Sequence, residues 1–289
     1  MPLDTPVVNF TRCEIPHHEA VRTNKCLGLE LEYEQVNLSS SPVPRDYWDV
    51  TSDGSLRNGG VEFISRPLLF EETDAALMAL QRCTEAMGAV ATERCGLHVH
   101  LNMRTFTVGQ LWSLFAIYAL MEPTIFATYA EDREDSMFAL PLWKNHAQQR
   151  AMQRDIAVLR NGRLSEGEDI CEIVSCCKYT AMNTSSLYRF GTVEMRQPYC
   201  TTEYDAILSW VDFLKRMVNM AETYDDPIHV LDRYEREGVY SFQEDLIGTT
   251  VGVTADDMEA AEDAAYLISG YDEPEWTDIE WDTPIMEAV

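Results

Sequence analysis

The sequence predicts an α+β fold, and three observations predict it. Short segments in which apolar and polar residues alternate strictly recur along the chain, the mark of strands with one buried face. Longer segments with the apolar spacing of helices lie between them. The hydrophobic share, 46% of 289 residues, supports a core that stands without disulfide staples.

Taken in order, the first strand is Gly28-Leu-Glu-Leu-Glu-Tyr-Glu34, where Leu29, Leu31 and Tyr33 alternate with Glu30, Glu32 and Glu34. Residues 47–65 read as a hairpin or loop-linked strand pair. Asp53-Gly-Ser55 and Asn58-Gly-Gly60 are turn signals, and Gly60-Val-Glu-Phe-Ile64 sets Glu62 against Val61 and Phe63. Residues 70–90 have helical spacing of Leu, Met and Ala and end near Gly88. In Gly96-Leu-His-Val-His-Leu-Asn102, the apolar Leu97, Val99 and Leu101 alternate with His98, His100 and Asn102. A helix over 107–129 opens on Thr107 as its N-cap, with Pro123 expected to kink or restart it. Residues 144–160 are expected to form a polar, basic helix carrying Lys144, Arg150, Arg154 and Arg160. Thr192-Val-Glu-Met-Arg196 alternates again, and 203–223 is strongly amphipathic. Beyond about residue 225 short helical pieces, such as 254–268, give way to a tail in which Trp276, Ile279, Trp281 and Ile285 are expected to pack, docked or against a protein partner.

The formal net charge is −27, and no Lys or Arg follows Arg236. Such a field repels nucleic-acid phosphates, so direct nucleic-acid binding is not expected; it also keeps a protein dissolved. The nearest approach to a membrane span, Leu111 to Met121, is short and interrupted by Ser113. The N-terminal residues lack a basic segment followed by an apolar one, so a cytoplasmic location is expected. The eight cysteines show no paired C-x-x-C spacing and read as reduced core thiols.

The polar faces of the alternating segments carry the chemistry. A solvated sheet shows Thr, Ser and Lys there; these strands show carboxylates, imidazoles and one guanidinium. Singly, Glu30 and Glu32 fit a solvated face, and an H-x-H pair such as His98 and His100 is more often not a ligand. As neighbours in one sheet, they and Glu62 and Glu194 would crowd one surface, at a cost that a cation or raised pKa values must relieve. Oxygen-rich donors with few imidazoles suit Mg²⁺ or Mn²⁺; a zinc cluster using Cys95 is the alternative, although Cys95 lies off the polar row. Arg196, two residues from Glu194 on the same face, is what a developing phosphoryl charge requires, or else a structural ion pair. Lys178 is a further phosphate contact or a surface lysine. Arg133 sits where a loop would overhang the sheet, or is exposed.

In this order and spacing the residues resemble the amidoligases, a branch of the glutamine-synthetase-like carboxylate–amine ligases. The matching pieces are Gly28-x-Glu30-x-Glu32, Asp53-Gly-Ser-Leu56, Gly60-x-Glu62, Ser65-x-Pro67, Cys95-Gly-Leu-His98-Val-His100, Arg133, Lys178-Tyr179, Asn183 and Val193-Glu194-x-Arg196-Gln197. They run from residue 28 to 197; Arg66 departs from the small residue usual there, and the acidic C-terminal quarter lies outside the likeness. The resemblance implies a curved, mainly antiparallel half-barrel with helices on its convex face and divalent ions bridging ATP phosphates on the other. Carried over, Glu30, Glu32, His98 and Glu194 are metal ligands with Glu62 a further candidate, Arg196 contacts phosphate, and Lys178 and His100 join the nucleotide site. Residues 1–224 would form this catalytic domain and 225–289 an acidic helical extension.

The expected reaction is ATP-dependent amide or isopeptide formation through an acyl phosphate, with Mg²⁺ or Mn²⁺. Arg196, Arg133 and Lys178 would steady the charge, and Asp53 or Glu34 would accept the proton of the amine. The substrates would be a small-molecule or peptide carboxylate and an amine. A kinase on the same sheet and a non-catalytic metal- or nucleotide-binding protein are the alternatives.

Overall fold

The structure is a computed structural model, and it describes residues 3–9, 18–130, 133–152, 179–248, 259 and 262–265. Seven strands form one open, curved, mostly antiparallel sheet: β1 (Cys26–Tyr33), β2 (Trp48–Thr51), β3 (Val61–Ser65), β4 (Leu68–Leu69), β5 (Leu97–Asn102), β6 (Met182–Asn183) and β7 (Thr192–Met195). Their order is β2-β3-β1-β5-β7-β6, with β4 paired to β1 beside this path. The three alternating segments that carry the charged pairs are therefore adjacent, with β5 in the middle.

Alternation decides what each face does. Leu29, Leu31, Val99, Leu101, Val193 and Met195 are wholly buried and turn to the helices. Those helices are α1 (Thr73–Met87), α2 (Val108–Tyr129), a helix over residues 146–152 (α3), α4 (Ser186–Phe190), α5 (Tyr204–Glu222), α6 (Pro227–Glu237) and α7 (Val239–Ile247). α1 stops where expected, with Gly88 in the left-handed conformation as its cap. α2 opens on Thr107, whose side chain accepts from Gln110 N while Gln110 answers to the Thr107 backbone.

Two features of α2 bear on the expectations. It does not restart at Pro123, which lies inside the helix. At 22 residues it is also long and apolar enough to cross a membrane, unlike the shorter run read from the sequence. It is, however, mostly buried: α5, α6 and α7 pack on it, and Phe115, Ile117 and Leu120 are fully enclosed. A helix apolar all round is satisfied inside a protein core as well as in lipid. Val230, Leu231, Phe242 and Leu246 of α6 and α7 belong to that same core.

The described start of the expected 144–160 helix is α3, preceded by a 3₁₀ turn over Leu142–Lys144. Arg154, Arg160 and the tail after 265 lie outside the described residues. The described cysteines Cys26, Cys83, Cys95 and Cys200 are buried free thiols.

Candidate active site on the open sheet face

The opposite face of the sheet gathers the charged residues; of the helices, α4 reaches it through Phe190, whose ring stands edge-on to His100 at 5.9 Å. Antiparallel register sets Glu30 opposite His98 and Gly28 opposite His100 across β1 and β5, and His100 opposite Glu194 across β5 and β7. Glu32 stands opposite Glu62 across β1 and β3. Side chains on one face of paired strands lie within contact range.

The contacts form a chain. Glu30 Oε1 lies 3.2 Å from His100 Nε2, and Glu30 Oε2 lies 3.4 Å from His98 Nδ1. His98 Nδ1 is in turn 3.6 Å from Glu194 Oε1, which also pairs with Arg196 Nη1. Asn183 Nδ2 donates to Glu194 Oε2 at 2.7 Å from the neighbouring β6. His100 is held from behind by Thr192, with Nδ1 and Oγ1 3.0 Å apart. Arg196 is fixed as well: its Nε donates to the carbonyl of Phe138 at 3.1 Å. The His98 ring lies over Gly96, where a Cβ would stand 2.5 Å from Nε2, so the absence of a side chain there lets Nδ1 face the acids.

Among the described residues, two triads bring three potential ligand atoms within 4.8 Å of one another: Glu30, Glu62 and His98, and Glu30, His100 and Glu194. His100, expected as a nucleotide contact, thus stands among potential ligands. Glu32, expected as a ligand, joins neither triad and accepts the Gly96 amide at 2.6 Å. Cys95 joins neither; its thiol sits against Thr92.

The electrostatics record the crowding. Burial raises the Glu30 carboxyl, but hydrogen bonds and charge from His100 and His98 outweigh it and hold Glu30 below the usual range. Burial lowers His100, and Glu30 and Glu194 more than reverse this, leaving it raised. Burial, then the charges of Glu30, Glu32 and Asp53, push Glu62 up to about 8. Glu32 is also raised, chiefly by burial. These donors suit a hard divalent cation: they are mostly carboxylate oxygens, and a cation relieves the repulsion that raises Glu62.

The other expected residues fall around this cluster. Asp53 is close enough for its charge to raise Glu32 and Glu62, while its carboxylate caps the turn by accepting Ser55 N at 2.6 Å. Glu34 turns away to accept Arg57 N at 2.6 Å and Thr92 Oγ1 at 3.3 Å. Arg133 is buried, with its guanidinium over the Tyr199 ring at 4.6 Å and a hydrogen bond to Pro198 O. Burial lowers it to about 10, and the charges of Arg196 and Glu32 are within its reach. Arg66 is taken up structurally, donating to Glu72 at 2.6 and 3.2 Å. Lys178 lies outside the described residues.

A cavity of about 220 Å³ opens beside Glu30 and His100, floored by Gly28 and walled by Ile64, Pro67 and Phe190. Arg104 lines it, a residue the sequence reading passed over. Its signal was present: Arg104 extends the two-residue row His98, His100, Asn102 by one step past the end of β5.

The sequence matches a family model described as "Putative amidoligase enzyme" over residues 36–218. That span contains Glu62, His98, Glu194 and Arg196, whereas Glu30 and Glu32 precede it on β1. No curated protein matches the chain.

Proposed function

Because the chain belongs to the amidoligase family, we propose that it is an ATP-dependent ligase joining a carboxylate to an amine, built on a glutamine-synthetase-like sheet. The observation that carries this reading is the linked row Glu30, His98, Glu194 and Arg196, which sets two carboxylates and an imidazole next to a fixed guanidinium. In it, Glu30, Glu62, His98 and Glu194 hold Mg²⁺ or Mn²⁺, with His100 as a further ligand. When bound, the ion neutralises phosphate charge and polarises the bond to the transferring group.

Arg196 binds the transferring phosphoryl group. Its planar fork is pre-aimed by Phe138 O, so little reorganisation is needed when charge develops on the phosphate oxygens. Arg133 adds long-range positive potential, and its stack on Tyr199 keeps the charge in place. The substrate carboxylate attacks the terminal phosphate of ATP, giving an acyl phosphate and ADP. The amine then attacks the acyl carbon, phosphate leaves, and a carboxylate removes the amine proton. Asp53 fits that last role better than Glu34, whose oxygens are already engaged by Arg57 and Thr92.

The test is a screen of carboxylate and amine pairs for amine-dependent ADP release with Mg²⁺, with Glu194→Gln as control. Amine-dependent release that vanishes in the control supports a ligase. Accumulation of a phosphorylated product independent of any amine would replace it with a kinase.

A further inference from the structure

The cavity beside Glu30 has a feature that the carboxylate cluster does not use. Arg104 lines it and is only 8% exposed. Its Nη1 donates to Asn102 Oδ1 at 2.9 Å and its Nη2 to Phe190 O, both neutral oxygens. Among the described residues its Nε, enclosed against the Gly191 backbone, has no hydrogen-bond partner, and no carboxylate forms an ion pair with the guanidinium. A buried charge is costly until an opposite one meets it.

The arginine is also held in position. Gly191 has φ +64, and a Cβ there would stand 2.7 Å from Arg104 Cγ, so the side chain lies directly on that backbone. Of the remaining walls, Ile64, Pro67 and Phe190 are apolar, and Ser65, Asn102 and Thr192 are polar. At about 220 Å³ the space is smaller than the roughly 300–1,000 Å³ of drug-sized sites, so its occupant is small.

We propose that this cavity is a carboxylate-binding subsite for a small aliphatic acid or amino acid. The carboxylate sits on Arg104, the body lies along Gly28 between Ile64 and Phe190, and the far end meets Glu30 and His100. As a substrate subsite it rests on the ligase reading above; as a binding site it does not.

Calorimetric titration of the full-length protein, without nucleotide or divalent ion, separates the two. The ligands are propionate, butyrate, hexanoate, 4-aminobutyrate, butyramide and inorganic phosphate. Saturable binding of the acids is expected, at least about tenfold tighter than butyramide and at least about tenfold weaker in Arg104→Met. If that variant does not fold by circular dichroism, Gly28→Ala decides. Its new Cβ meets only His100 Cβ, at 3.6 Å, an ordinary contact, so the fold is kept while the floor rises. Hexanoate is then expected to lose affinity relative to propionate. A preference for 4-aminobutyrate over butyrate marks the amine donor's subsite, because its amino group then stands at the Glu30 end. The proposal is overturned by acids and amide binding alike, by no saturable acid binding, by phosphate binding more tightly than every acid, or by unchanged affinities in the folded variants. Because binding is read without ATP, a failed ADP-release screen leaves this result standing, and ADP release without acid binding removes only the subsite.

Discussion

Glu32 and Glu62 face each other directly across the β1–β3 pair, two carboxylates in one cross-strand position. Both carboxyls are raised, each first by burial; the charge of Glu30, then those of Glu32 and Asp53, add to the rise of Glu62 to about 8.

That relationship predicts a pH-dependent stability. A carboxyl raised above its unfolded value of about 4.3 binds its proton more tightly in the folded chain. Its stabilising contribution is full below that value and is lost as pH rises through about 8. In the presence of a chelator, wild-type protein should lose on the order of 1–2 kcal/mol between about pH 5 and about pH 8, discounted for solvent screening. Glu62→Gln should flatten that slope, and Mn²⁺ should restore stability in wild type more than in the variant. Urea unfolding across pH measures it; equal slopes would remove Glu62 from the cluster.

Gly96→Ala should fold yet disturb the metal site. The new methyl would meet His98 Nε2 at 2.5 Å, so the ring must swing and carry Nδ1 away from Glu30 and Glu194. Mn²⁺ affinity is expected to drop roughly 10–100-fold, the usual cost of losing ligand orientation. Paramagnetic-resonance titration of Mn²⁺ checks this, and wild-type affinity would show that His98 is no ligand.

Arg196→Lys distinguishes a phosphoryl contact from a structural pair. An ammonium can still satisfy Glu194, so the fold and metal binding should persist. It cannot reproduce a fork that meets Glu194 and Phe138 O at once and still faces phosphate. Amine-dependent ADP release should fall by about 10²–10³. Near-wild-type turnover would exclude Arg196 from the reaction.

Glu122 is a buried acid behind the site. It accepts the Leu142 amide at 2.7 and 2.9 Å and the Tyr118 hydroxyl, and Tyr118 in turn accepts Gln197 Nε2 at 2.9 Å, next to Arg196. Glu122→Ala orphans that amide and hydroxyl and should cost roughly 2–4 kcal/mol in chemical denaturation, with Glu122→Gln costing clearly less. A loss equal in both variants would show that charge rather than hydrogen bonding holds this corner.

What the sequence by itself determined was which side chains share a face. Successive Cβ atoms point to opposite sides of a strand, so Glu30 with Glu32, His98 with His100, and Glu194 with Arg196 are grouped by covalent geometry alone. The N-cap at Thr107 and the stop at Gly88 were legible for the same local reason. Only the tertiary structure decided the rest. Strand order and register, which set Glu30 against His98 and His100 against Glu194, come from pairings between residues far apart in the chain. So does the diversion of Glu34 to the Arg57 amide, the burial of α2 among α5, α6 and α7, and the enclosure of Arg104 by Gly191 and Phe190. Local alternation fixes direction, whereas which charges meet depends on how distant segments pack, and no window of sequence contains that information.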